Sequence, residues 1–138
     1  MGTRSNTWIM ENISDVNVAS ANIPIVNMYR QMDGYPTGHG RDLLEFLLPI
    51  KLVNGLSGES SVANGAGCLA AQMIAHFKTD AGGIYMMPAI EGFRYENDYT
   101  YEVHVLDLSM SIIVYEDENK IFEGTIREFG QFIKEEAA

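Results

Sequence analysis

The chain has 138 residues, of which 46% are hydrophobic and 20% charged, enough apolar material for the core of one domain. Nineteen Asp and Glu against nine Lys and Arg give a formal charge of −10, which argues against nucleic-acid or anionic-membrane binding through bulk electrostatics. A single cysteine excludes an intrachain disulfide framework and a Cys-clustered zinc site. No apolar stretch approaches the roughly 20 residues of a membrane span. The opening MGTRSNTWIMENISDV has no apolar signal region, so a cytoplasmic domain spanning residues 1–138 is expected, with no membrane partner.

The segment Thr7–Glu11 reads as a strand and Asn12–Asn22 as a polar, turn-rich connection. Ile23–Arg30 reads as a second strand, with Pro24 at its start or on a sheet edge because proline donates no ladder hydrogen bond. Asp33–Gly40 holds three glycines and a proline in eight residues, a composition that predicts a loop. A short helix then carries Leu43, Leu44, Phe46, Leu47 and Leu48 until Pro49 interrupts it. Lys51–Val53 makes a poor strand, and residues 54–67 read as a second glycine-rich loop. Cys68–Lys78 is apolar on nearly every side and predicts a buried central helix, stopped by Gly82 and Gly83.

Ile84–Met87 is a short apolar strand. Tyr99–Asp107 alternates, with Tyr99, Tyr101, Val103 and Val105 on one face and Thr100, Glu102 and His104 on the other. Residues 110–123 read as a hairpin. Thr125 with Glu128 forms a capping-box pattern ahead of a terminal helix with an apolar stripe of Ile126, Phe129, Phe132 and Ile133. The expected fold is α+β: a mostly antiparallel sheet of about five or six strands packed with a central buried helix and a C-terminal helix.

Two stretches carry a resemblance. Tyr29-Arg30-Gln31-Met32-Asp33-Gly34-Tyr35-Pro36-Thr37-Gly38-His39-Gly40 and Asn64-Gly65-Ala66-Gly67-Cys68-Leu69-Ala70-Ala71-Gln72 resemble motifs of a family of small uncharacterised proteins from phages, prophages and prokaryotic mobile elements. Lys120–Gly124 and the helix after it are also similar, so the likeness spans most of residues 23–138. It implies a prokaryotic or viral origin and a cytoplasmic setting. It supplies no activity.

Both glycine-rich loops feed a helix, whose unpaired N–H groups and dipole favour an anion. A small anionic ligand such as a nucleotide is therefore expected at Arg30, Asp33, Gly38, His39, Gly40 and Arg41, with Asn64, Gly65 and Gly67 from the second loop if the two converge. The plainer reading is that the glycines serve tight turns and close packing. Gly65-Ala66-Gly67-Cys68-Leu69-Ala70 matches a dinucleotide-binding spacing in form, but no βαβ unit surrounds it, and no cofactor is expected.

A small hydrolase or transferase is the alternative, using His39 with Asp33 or Cys68. Cys68 at a helix start has the dipole that activates a thiol, although free cysteine is more often a small core residue. His39, His76 and His104 show no metal-ligand spacing, and no metal is expected. His76 reads as a core or boundary residue and His104 as solvated. Tyr85, Tyr95, Tyr99, Tyr101 and Tyr115 offer a stacking surface or plain sheet packing.

Residues 91–138 hold twelve acids and four bases, among them Arg94. Inhibition of a host nucleic-acid enzyme by this acidic third is a further alternative; a solvated surface is the plainer one. Modest size and abundant apolar residues lead us to expect a homo-oligomer.

Overall fold

Strand-forming residues near the N-terminus pair with segments from both ends of the chain. The computed structural model describes residues 2–15, 18–55, 59, 61–90 and 97–138. Strands β1 (Ser5–Asp15) and β2 (Val18–Arg30) form a long antiparallel hairpin, and β5 (Ile84–Met87) pairs with Asn27–Arg30 of β2. On its other side β1 runs parallel to β6 (Tyr99–Leu106), which continues as an antiparallel meander through β7 (Ser109–Glu116) and β8 (Asn119–Thr125). The six-stranded sheet has the order β5-β2-β1-β6-β7-β8, and β1 with β6 is its one parallel pair. The mostly antiparallel α+β architecture expected from the sequence is therefore the one observed.

Between β2 and β5 lie a π-helical turn (Pro36–Gly40), helix α1 (Arg41–Leu47), and a two-stranded parallel sheet of β3 (Lys51–Val53) and β4 (Val62–Asn64). Helix α2 (Gly65–Phe77) follows at once, and α3 (Ile126–Ala137) ends the chain. One sheet face carries Ile9, Met28, Tyr101, Val103, Val105, Ile112 and Val114, which pack on Leu43, Leu69, Met73, Phe129 and Ile133 of the helices. Thr125 accepts from the Glu128 amide at 3.1 Å while Glu128 Oε1 accepts from the Thr125 amide at 2.8 Å, so the capping box forms as expected. No described helix is long and apolar enough to cross a membrane.

Three local expectations need correction, and a fourth, for Pro24, holds. Asn12–Asn22 is mostly strand, with Asn12 opposite Asn22 and Ile13 opposite Ala21, because backbone pairing in a hairpin does not require apolar side chains. Pro24 lies inside β2 but, as expected, on an edge: β5 does not reach it, and it stands beside an irregularity in register, so its missing N–H costs no ladder bond to β5. Lys51–Val53 is a strand because β4 pairs with it and Leu52 and Ala63 reach the core. The Asp33–Gly40 segment contains a helical turn that opens at Pro36, where the absent N–H is no loss.

The rim of β5 is occupied by Lys78, whose Nζ donates to the carbonyls of Gly82 at 3.1 Å and Ile84 at 2.8 Å. On the opposite edge, β8 carries an exposed Lys120–Glu123 pair at 2.6 Å.

Glycine has different work in the two loops. A Cβ on Gly38 would stand 2.5 Å from the Asp33 carbonyl oxygen, whereas one on Gly67, within α2, meets nothing within 4 Å. Gly38→Ala should lower stability by about 1–3 kcal/mol through forced backbone displacement. Gly67→Ala should raise it by up to about 1 kcal/mol through helix propensity. Urea unfolding of the two variants checks both signs.

Candidate functional site

The π-helical turn delivers His39 into the core, where it is completely buried. Arg30 at the end of β2 donates from Nη1 to His39 Nδ1 at 3.1 Å and to Asp42 Oδ2 at 2.8 Å, and from Nε to the Met32 carbonyl at 2.8 Å. A guanidinium only donates, so His39 Nδ1 is an acceptor and the ring proton sits on Nε2. That N–H donates to Thr7 Oγ1 on β1 at 2.7 Å. Burial first, and then the charge of Arg30, push the His39 pKa down to about 3. The ring is therefore neutral at ordinary pH. It packs against Phe77 and Tyr101, each 5.2 Å away between centroids.

Beside this knot lies a cleft of about 400 Å³ lined by Arg30, Met32, Asp33, Asp42, Glu45, His76, Phe77, Gly83 and Ile84. It holds three carboxylates against one guanidinium, and that guanidinium is already paired with Asp42. Asp42 and Glu45 are three apart on α1 and so share a helix side. Asp33 adopts φ 60, a conformation that Asp tolerates better than most residues. Phe46, His76 and Phe77 pack in tilted and edge-to-face contacts as an aromatic wall, with centroid separations of 5.0–6.1 Å.

The expected site residues therefore divide. Arg30, Asp33 and His39 come together, with Gly38 and Gly40 in the turn beside them. Arg41 is exposed and lies outside the cleft lining. Asn64, Gly65 and Gly67 are at the wrong end of α2: its C-terminal Phe77 touches His39, which leaves Gly65 roughly 18 Å away by helix rise. The two loops do not converge.

Nor are the peptide nitrogens around Gly38 and Gly40 free. The amides of Gly38 and Gly40 donate to the Tyr35 carbonyl, that of His39 to Asp33, and that of Arg41 to Gly38. The glycines of this loop serve packing, since a Cβ on Gly40 would stand 3.0 Å from Ile133 Cδ1. The cleft also carries the opposite charge balance from the one expected for an anion.

The other candidates separate as well. Cys68 Sγ faces Gln72 Oε1 at 3.8 Å and packs half-buried on the core, far from His39. The His39 ring has neither an acid nor a thiol as hydrogen-bond partner. His76 is exposed rather than a core residue, because it sits at the open end of α2. His104 is buried rather than solvated, with Nδ1 bonded to Asn12 and Nε2 to Glu102.

Tyr101 is in the core, Tyr85 is on the β5 edge, and Tyr115 stands opposite Thr100 on the other sheet face from Tyr99 and Tyr101. They form no common stacking surface. Tyr95 and Arg94 lie outside the described residues, as do residues 56–58 and 60 of the second loop. Glu102 lies on the sheet face opposite the helices, whereas Glu128, Glu135 and Glu136 belong to α3 on the other side, so the described acids of the last third do not share one face.

No group of three His, Cys, Asp or Glu among the described residues is placed to hold a metal ion. Comparison with protein-family models, curated proteins and solved structures finds no match.

Because His39 refuses a proton in the folded state down to about pH 3 and accepts one near 6.5 when unfolded, its contribution is complete above 6.5 and is lost as pH falls toward 3. The slope from this one group is about 1.4 kcal/mol per pH unit. In urea unfolding at pH 7, 5 and 4, wild type should therefore lose stability more steeply than His39→Gln, whose side chain does not titrate.

Proposed function

We propose that the protein is a non-enzymatic binding protein whose cleft takes a small organic cation, an amine or guanidine bearing an apolar group. The observation that supports this reading is that Asp33, Asp42 and Glu45 all line one cleft, so that two carboxylates, Asp33 and Glu45, remain once Arg30 is paired with Asp42. A cationic head placed among these carboxylates gains charge-assisted hydrogen bonds. Phe77, Met32 and Ile84 supply an apolar and aromatic wall for the remainder, and a cation beside an aromatic face gains further. No catalytic step is assigned, since the buried His39 has neither of the partners that acid–base or thiol chemistry would need.

A second reading keeps the small anion, such as a nucleotide. Arg30 lines the same cleft, and its Asp42 partner is 46% exposed, so an incoming carboxylate or phosphate has a displaceable rival. Arg30 would then neutralise the ligand's charge. The resemblance of the loops to mobile-element proteins supports a prokaryotic or viral setting in the cytoplasm. Exposed Met32, Leu48, Tyr85, Met86 and Leu108 support self-association; sedimentation showing only monomer at micromolar concentration would refute it.

A titration-calorimetry panel of aromatic amines, aliphatic diamines and nucleotides separates the two ligand classes. On the first reading amines bind, binding weakens with salt, and Asp33→Asn with Glu45→Gln weakens it at least about tenfold. Nucleotide binding that strengthens in Asp42→Asn would instead select the second.

A further inference from the structure

The sheet face opposite the helices is unusually rich in buried polar groups. Asn6, Asn27 and Thr100 are each less than 5% exposed, and Trp8 and Tyr29 are buried beside them. Their side chains are wired together. Thr100 Oγ1 donates to Asn97 Oδ1 at 3.3 Å, Asn97 Nδ2 donates to Asn6 Oδ1, Asn6 Nδ2 donates to Asn27 Oδ1 at 2.6 Å, and Asn27 Nδ2 donates to the Pro88 carbonyl at 3.2 Å.

The direction of this chain follows from its last member. The Pro88 carbonyl only accepts, so Asn27 must present its amide nitrogen there and its oxygen to Asn6. Asn6 must then offer its own oxygen to Asn97, and Asn97 its oxygen to the Thr100 hydroxyl. Turning Asn6 or Asn27 over places oxygen against oxygen and nitrogen against nitrogen, and turning Asn97 over places its oxygen against that of Asn6, so each flip leaves hydrogen bonds unmade at a site largely closed to water. The members come from four places: Pro88 just after β5, Asn27 on β2, Asn6 on β1, and Asn97 with Thr100 where β6 begins.

We infer that Thr100, Asn97, Asn6, Asn27 and the Pro88 carbonyl form one directional latch, which holds the Pro88 and Asn97 ends of the β5–β6 connection to β1 and β2 as a unit. Neither end is then released without loosening the other, because the orientation of each amide depends on the next.

Exchange of the buried carboxamide protons, followed by NMR, tests this at a distance from each substitution. Thr100→Val keeps the shape and removes only the first donor. It should speed exchange of the Asn27 carboxamide, three links away, by about threefold, with β7 and β8 amides unchanged as the folding control. Asn27→Asp replaces the last donor with an acceptor facing the Pro88 carbonyl. It should speed exchange of the Asn97 carboxamide and the Asp98 backbone amide by about tenfold. If each substitution affects only its immediate neighbour, the contacts are independent and the latch is overturned; the mild Thr100→Val variant alone decides this if Asn27→Asp does not fold.

Discussion

The neutral ring of His39 is the joint on which the rest of the molecule depends. One edge accepts from Arg30 on β2, the other donates to Thr7 on β1, and its faces meet α2 through Phe77 and β6 through Tyr101. A protonated ring would have no acceptor for Arg30 and would bury two like charges together. Keeping the ring uncharged therefore holds the π-helical turn against the sheet, sets the angle at which α1 leaves it, and turns Asp42 and Glu45 toward the cleft. The Tyr101 hydroxyl reinforces this joint by donating to the Gly34 carbonyl at 2.8 Å.

Much of the architecture was legible in the chain because periodicity and capping act locally. The alternation of Tyr99–Leu106, the stripe of α3 and the Thr125–Glu128 box each depend on neighbours within a few residues. What stayed hidden was set by distant partners. Lys51–Val53 becomes a strand only because Val62–Asn64 lies alongside, and His104 is buried only because Asn12 and Glu102 meet it across and along the sheet. Arg30, Asp33 and His39, expected in one ligand site, do lie together, because the short chain between them folds back through the π-helical turn. Their chemistry was not legible, because the same glycines that free a backbone for a ligand also let two segments touch.

That ambiguity explains how the cleft came to differ from the expected one. The first loop spends the amides of Gly38, His39 and Gly40 on its own carbonyls, and the space at Gly38 and Gly40 on contacts with Asp33 and Ile133. The space left over is bounded by side chains that no sequence motif ties to a site: Glu45 on the exposed side of a leucine-rich helix, His76 and Phe77 at the end of α2, and Gly83 and Ile84 where β5 begins. One signal was available, since Asp42 and Glu45 are acids three apart on a short helix that follows the glycine-rich loop after an arginine-bearing strand.

The two margins of the sheet share a property with consequences beyond a single molecule. Lys78 sits on the carbonyl of Ile84 at the start of β5 and on that of Gly82 just before it, Pro24 interrupts the part of β2 that β5 leaves uncovered, and β8 presents the charges of Lys120 and Glu123. Lysine and proline at such positions oppose edge-to-edge growth. Copies of this chain that meet at high concentration, or while newly made, are thereby steered away from fibre-like stacking, and any partner it takes must be met through side chains and not by lengthening the ladder.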